Sequence, residues 1–223
     1  MLLKTLAIVL ILLAANLTML SAKPIDLPVD KLHLDIPDSW TSGTPGGSIL
    51  LSAADAQNSA DANLLKMPND RGDGLDEPEF VNGIKAGFTR KLEGQGKSVA
   101  ITKEGQTTLN GVSFYNLQGT FGASGDQPTR FSMYVTAANG QIYILSLQSM
   151  RADADADLQG IANSLRFTTP PVLPDPYQPK TPSDTIGYYV GLFIGVLAVI
   201  SIFKWIRLRA QRRNGPPPPP PLS

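Results

Sequence analysis

The chain has 223 residues, no cysteine, and nineteen basic side chains balanced by nineteen acidic ones. Without cysteine there is no disulfide framework, no thiolate metal site and no cysteine nucleophile, so an exported domain would rest on its apolar core alone. The zero net charge hides a separation, because residues 23–184 hold all nineteen acids against thirteen bases while five bases follow residue 203; an acidic body argues against nucleic acid as a partner and against attraction to anionic lipid.

Residues 1–22 read as a secretory signal peptide, with Lys4 as the positive start, an apolar run over 6–15 and Leu20-Ser21-Ala22 as the small-residue exit, so the mature chain is expected to start at Lys23. The rival reading is an uncleaved anchor, since 5–22 is nearly long enough to span a bilayer. Either version places the middle of the chain outside the cytosol, and the bacterial periplasmic side is expected.

Leu32, Leu34 and Ile36 alternate with His33 and Asp35 and predict a strand that Pro37 ends before Trp40. Short strands are predicted at 49–51 and 63–67. The acidic loop 69–77 leads into a helix with Asp76 as its cap and Pro78 in its first turn, and Phe80, Ile84, Phe88 and Leu92 recur at every fourth position to give it one apolar stripe. Gly83 and Gly87 on that helix suggest close approach of its backbone to a sheet.

From 98 to 149 the pattern predicts an antiparallel meander, with hairpin turns at Asn110-Gly111 and Asn139-Gly140 and a longer connection over 122–129. Ile142 and Ile144 point to one face of their strand while Tyr143, Leu145 and Leu147 point to the other, so this strand is expected to be central and covered on both sides. Leu158, Ile161, Ala162 and Leu165 form a second helical stripe. Six prolines within 168–185 read as an extended stalk.

Residues 186–203 contain no charge and are long enough to form a transmembrane helix. Tyr188, Tyr189 and Trp205 flank them, and Lys204 and four arginines follow at once, which places the basic, polyproline tail 204–223 in the cytoplasm. A single-pass protein of the cell membrane is thus expected. Gly187, Gly191 and Gly195 recur on one face of that span, where two copies could pack closely as a homodimer.

Ile36-Pro37-Asp38-Ser39-Trp40, the segment from Asn110 to Tyr115 and the segment from Ile161 to Phe167 resemble the signatures of the PsbP-like and DcrB-like family, over residues 29–167. The resemblance implies an α+β fold, an antiparallel sheet with helices on both faces in an α/β/α sandwich, used as a binding or assembly module. These signature residues are core and turn residues and carry no chemistry. The chain differs from both named types in lacking a lipobox cysteine and in adding the C-terminal span.

Asp153, Asp155 and Asp157 have the spacing of a calcium loop's first ligands, but Leu158 stands where glycine should turn the loop, so acids in a helix's first turn are the better account. Asp70, Asp73, Asp76 and Glu77 form a denser calcium candidate that matches no ligand template. His33, the sole histidine, is expected on the polar, exposed side of its strand. No nucleophile, base and orienter fall together, so no enzyme is expected, and no cofactor is implied. The expected function is non-catalytic binding or assembly of envelope proteins, with an extracytoplasmic receptor for a small ligand or ion as the alternative.

Overall fold

A computed structural model describes residues 22–55, 57, 59–123 and 125–175. Of the stretch expected as a signal peptide only Ala22 is described, and the stretch expected as a span at 186–203, with its three glycines, and the polyproline tail lie outside the described residues. Among the described residues no helix is long and apolar enough to cross a membrane.

The frame is a seven-stranded antiparallel sheet built from β3 (Thr41–Gly43), β4 (Ile49–Ala54), β5 (Ala60–Pro68), β6 (Ser98–Leu109), β7 (Val112–Gly122), β8 (Thr129–Ala138) and β9 (Gln141–Ser149). Their order is β3-β4-β5-β9-β8-β7-β6. β6 to β9 form the expected meander. Its turns hold Asn110 and Gly111 at φ +48° and +82°, and Asn139 and Gly140 at +53° and +69°, the left-handed pair that matches strand twist in a two-residue hairpin. β9 lies at the centre, and Ile142, Tyr143, Ile144, Leu145 and Leu147 are all buried. Its two apolar faces are therefore both covered, as the alternation predicts.

Each face has its own core. On one, α1 (Pro78–Glu93) lies across β6 and β7 and buries Phe80, Ile84, Phe88 and Leu92 against Leu117, Phe131, Val135 and Ile144. Each such side chain contributes on the order of 1.5–3 kcal/mol. The Phe88 and Phe131 ring centroids are 4.7 Å apart. On the other face, α2 (Asp155–Ser164) buries Leu158, Ile161 and Ala162 beside a three-stranded sheet, β1 (Ala22–Leu27), β2 (Leu32–Pro37) and β10 (Arg166–Phe167), ordered β1-β2-β10. The α+β class holds. The second layer is a helix plus a small sheet, and β1 and β10 extend what the alternation of β2 predicts.

Three local expectations change. The cap of α1 is Glu77 rather than Asp76, with no side-chain capping bond, because Pro78 takes the first helical position where no N–H is needed. A Cβ at Gly87 would meet nothing within 4 Å, so the helix does not approach the sheet closely there. The close approach is instead at Gly119 in β7, opposite a bulge between Ile101 and Lys103, where a Cβ would lie 2.1 Å from the Ala100 carbonyl oxygen.

Candidate functional site

In an up-and-down meander alternate turns share an end, and here the turn 28–31, the loop 69–77, the turns 110–111 and 139–140 and the segment 168–175 gather at one end of the domain. Backbone bonds tie them together. The Asn69 N–H donates to the Gly140 carbonyl at 2.9 Å, and the Thr168 N–H donates to the Lys31 carbonyl at 2.8 Å. Asn139 clasps Val172 twice, its own N–H donating to the Val172 carbonyl at 2.7 Å and its Oδ1 accepting the Val172 N–H at 2.9 Å. The stretch expected as a stalk thus starts as part of the domain and leaves it only beyond Val172.

The same cluster continues inward. The Tyr143 hydroxyl meets both Asn139 and Asp30, and its pKa is raised by burial and by the Asp30 carboxylate. Asp30 in turn pairs with the Lys66 ammonium at 2.7 Å. At the surface of this end stand Val29, 87% exposed, Val172, 74%, and Leu173, 54%. These are the large exposed apolar side chains of the described residues, and isolated apolar exposure needs no account whereas three at one end do.

The four calcium candidates lie in this end without converging. Asp73 and Glu77 are buried, while Asp70 and Asp76 are exposed. Asn69 stitches the loop, its Nδ2 donating to the Asp73 carbonyl at 2.9 Å and its Oδ1 accepting the Asp73 N–H at 3.1 Å, and Asp73 faces Arg71 at 3.9 Å. Among the described residues no group of three or more His, Asp or Glu is placed to hold a metal ion. Asp155 and Asp157 stand in the first turn of α2, as dipole stabilisation predicts, and Asp153 lies in the 3-10 turn just before it.

His33 corrects its expectation. It is buried, with Nδ1 2.6 Å from an Asp26 carboxylate oxygen and Nε2 3.0 Å from an Asp35 oxygen. Asp26 is the cross-strand partner of His33 in β1, and the histidine therefore fastens the first strand to the second.

Two further polar groups were not foreseen. On the α1 side of the sheet, Ser52, Asn63 and Ser146 sit in one cross-strand row, with Asp61 and Gln148 in the next. Asn63 donates to Asp61 at 3.4 Å, and burial, reinforced by the Asp55 carboxylate, pushes the Asp61 carboxyl well above the usual range. At the outer strand, Lys85 pairs with Glu104 at 2.6 Å and holds its carboxyl down, while burial and Glu104 push the Tyr115 phenol up to about 12. Beside Lys85 an open trough of about 450 Å³ is lined by Asn82, Lys85, Ala86, Thr89 and Arg90, all on α1.

No protein-family model matches the chain, and no curated protein does. Solved structures do. The PsbP protein of the cyanobacterium Synechocystis sp. PCC 6803 (CyanoP) is similar at 13% identity with a TM-score of 0.54, over 68% of this chain and 95% of that one. The Ran-binding protein Mog1p of Saccharomyces cerevisiae aligns at 8% identity and TM-score 0.46, over 67% of this chain and 96% of that one. LpqN of Mycobacterium tuberculosis, described as involved in cell envelope biogenesis, aligns at 16% and TM-score 0.37, over 70% and 91%. At such identities the likeness concerns the path of the chain, and the described residues share the PsbP-like fold.

Proposed function

We propose that the domain is a non-catalytic binding or assembly module for envelope proteins, held outside the cytosol by the single span at 186–203. The observation that carries this reading is β6, a twelve-residue strand at the border of the large sheet, paired among the described residues with β7 alone and exposed along most of its length. A free edge of that length offers a row of backbone donors and acceptors to an added strand. Lys103, Glu104 and the bulge after Ile101 interrupt it, which disfavours indiscriminate edge pairing and leaves room for a partner of matching pattern. The polar groups that could suggest chemistry have structural duties: His33 fastens β1, Asn69 stitches a loop, and Asn139 clasps Val172.

The receptor alternative gains less, because the trough on α1 is lined by one helix and open to solvent, whereas small-ligand sites enclose most of the ligand. The test is in vivo photocrosslinking of the full chain with the reactive side chain at Lys103 or Thr108 on β6, and at Asp38 as a control. Capture of the same envelope protein from both β6 positions and not from Asp38 supports the module. Equal labelling at all three positions refutes it.

A further inference from the structure

The geometry points to a second surface: the end of the domain bearing Val29, Val172 and Leu173 rests on the lipid surface of the membrane in which the chain is anchored. This inference depends on the proposed anchorage at 186–203. Three observations converge on it. The large apolar side chains exposed among the described residues all lie at this one end. The chain also leaves the domain there, since Asn139 clasps Val172 and a Cβ at Gly74 would lie 3.6 Å from that of Pro174. Finally, only residues 176–185 separate the described domain from the span. Even fully extended, ten residues reach no more than about 35 Å, about the length of a ten-residue strand.

The clasp makes the exit directional. A spacer starting at Thr168 would leave the domain free to tumble, but a chain pinned through Val172 and continuing past Asp175 brings the Val29 end toward the bilayer. The contact is apolar in kind: Asp30 and Asp73 at this end face Lys66 and Arg71, Asp70 and Asp76 stand exposed beside them, and these acids, like the acidic body, give no attraction to anionic headgroups. Valine and leucine tips entering a zwitterionic interface are the chemistry that fits.

The absence of cysteine makes the test direct. Single variants Val29→Cys, Leu173→Cys and, at the opposite end of the domain, Gln95→Cys carry an environment-sensitive fluorophore in the full chain, reconstituted into phosphatidylcholine vesicles with and without nitroxide-labelled lipid. The expected result is a blue shift and nitroxide quenching at 29 and 173, with neither at 95. If the protein floats with the vesicles but positions 29 and 173 are quenched no more than 95, the docking is overturned and the anchorage stands. If it does not float with them, the anchorage falls and the docking with it. A blue shift at 29 without lipid quenching, accompanied by crosslinks between copies, overturns the lipid as occupant in favour of a second chain.

Discussion

Replacing Asn139 separates two contributions that the structure places in one residue. Its φ of +53° lies in the left-handed region, where asparagine is tolerated and alanine costs about 1–2 kcal/mol. Its Oδ1 also accepts the Val172 N–H at 2.9 Å, a bond worth about 1 kcal/mol. Asn139→Ala loses both, together with the side chain's contact to the Tyr143 hydroxyl, and is expected to destabilise by about 2–4 kcal/mol, whereas Asn139→Gly keeps the turn and loses only the two side-chain contacts, about 1–2 kcal/mol. For a domain of this size that is a melting shift of about 4–16 °C for alanine and about 2–8 °C for glycine. Urea unfolding measures the difference, and hydrogen exchange at the Val172 amide measures the clasp. Both variants should expose that amide to exchange. Equal destabilisation by alanine and glycine would refute the backbone contribution, and a Val172 amide still protected in the glycine variant would refute the clasp.

The other predictions concern the sheet and its first strand. The folded-state carboxyl of Asp61 is raised, so the native state binds a proton that the unfolded state releases, and stability is expected to fall as pH rises from the unfolded pKa through the folded one. Asp61→Asn should remove that slope and unfold later in urea at pH 7; an unchanged pH profile would count against a desolvated carboxyl. Gly119→Ala should cost about 2 kcal/mol or more, because a Cβ 2.1 Å from a carbonyl oxygen forces the β6 bulge to move, and a melting temperature equal to wild type would show the bulge to be soft. His33→Ala should cost about 1–3 kcal/mol through loss of its bonds to Asp26 and Asp35, with faster amide exchange in β1 first; uniform exchange across the domain would contradict a role confined to that strand.

What could be read in advance follows the range of each interaction. The meander, the central strand and both helical stripes are written in periodicity and turn pairs, which act over a few residues, and all are found. The features that give this domain its two distinct ends are long-range. Asn139 reads as half of a turn pair, and nothing local shows that its side chain meets a residue 33 positions later. Asn110 likewise reads as a turn, yet its Nδ2 donates to the Asn163 and Leu165 carbonyls at 2.8 Å and closes the end of α2 from 53 and 55 residues away. His33 stands at a polar position of an alternating strand, which ordinarily means exposure. It is buried because β1 and β10 flank β2 on both sides, and a two-residue strand such as β10 leaves no periodic signal. The acidic loop misleads in the opposite way. Charge density suggests ligation, but a ligand set needs convergence, and Asn69 folds the loop so that two acids point in and two point out.

The two ends also bear on the leader. β1 starts at Ala22 beside Pro37 and runs to Leu27 beside the turn 28–31, so the start of the described chain and its exit near Asp175 lie at opposite ends of the small sheet. A retained leader would hold the Ala22 end at the bilayer with almost no spacer, since the stretch read as an anchor, 5–22, runs up to the start of β1. A span at 186–203 would hold the other end only through ten residues, whose reach of about 35 Å exceeds the length of the six-residue β1, so the domain need not stand on its exit and the Val29 end would come no closer to lipid than the Gln95 end. A cleaved leader leaves one tether and lets the domain stand on its exit. Lipid quenching at 29 and 173 but not at 95 therefore selects the cleaved form as well as the docked surface, and quenching of comparable strength at 29 and 95 selects the retained one.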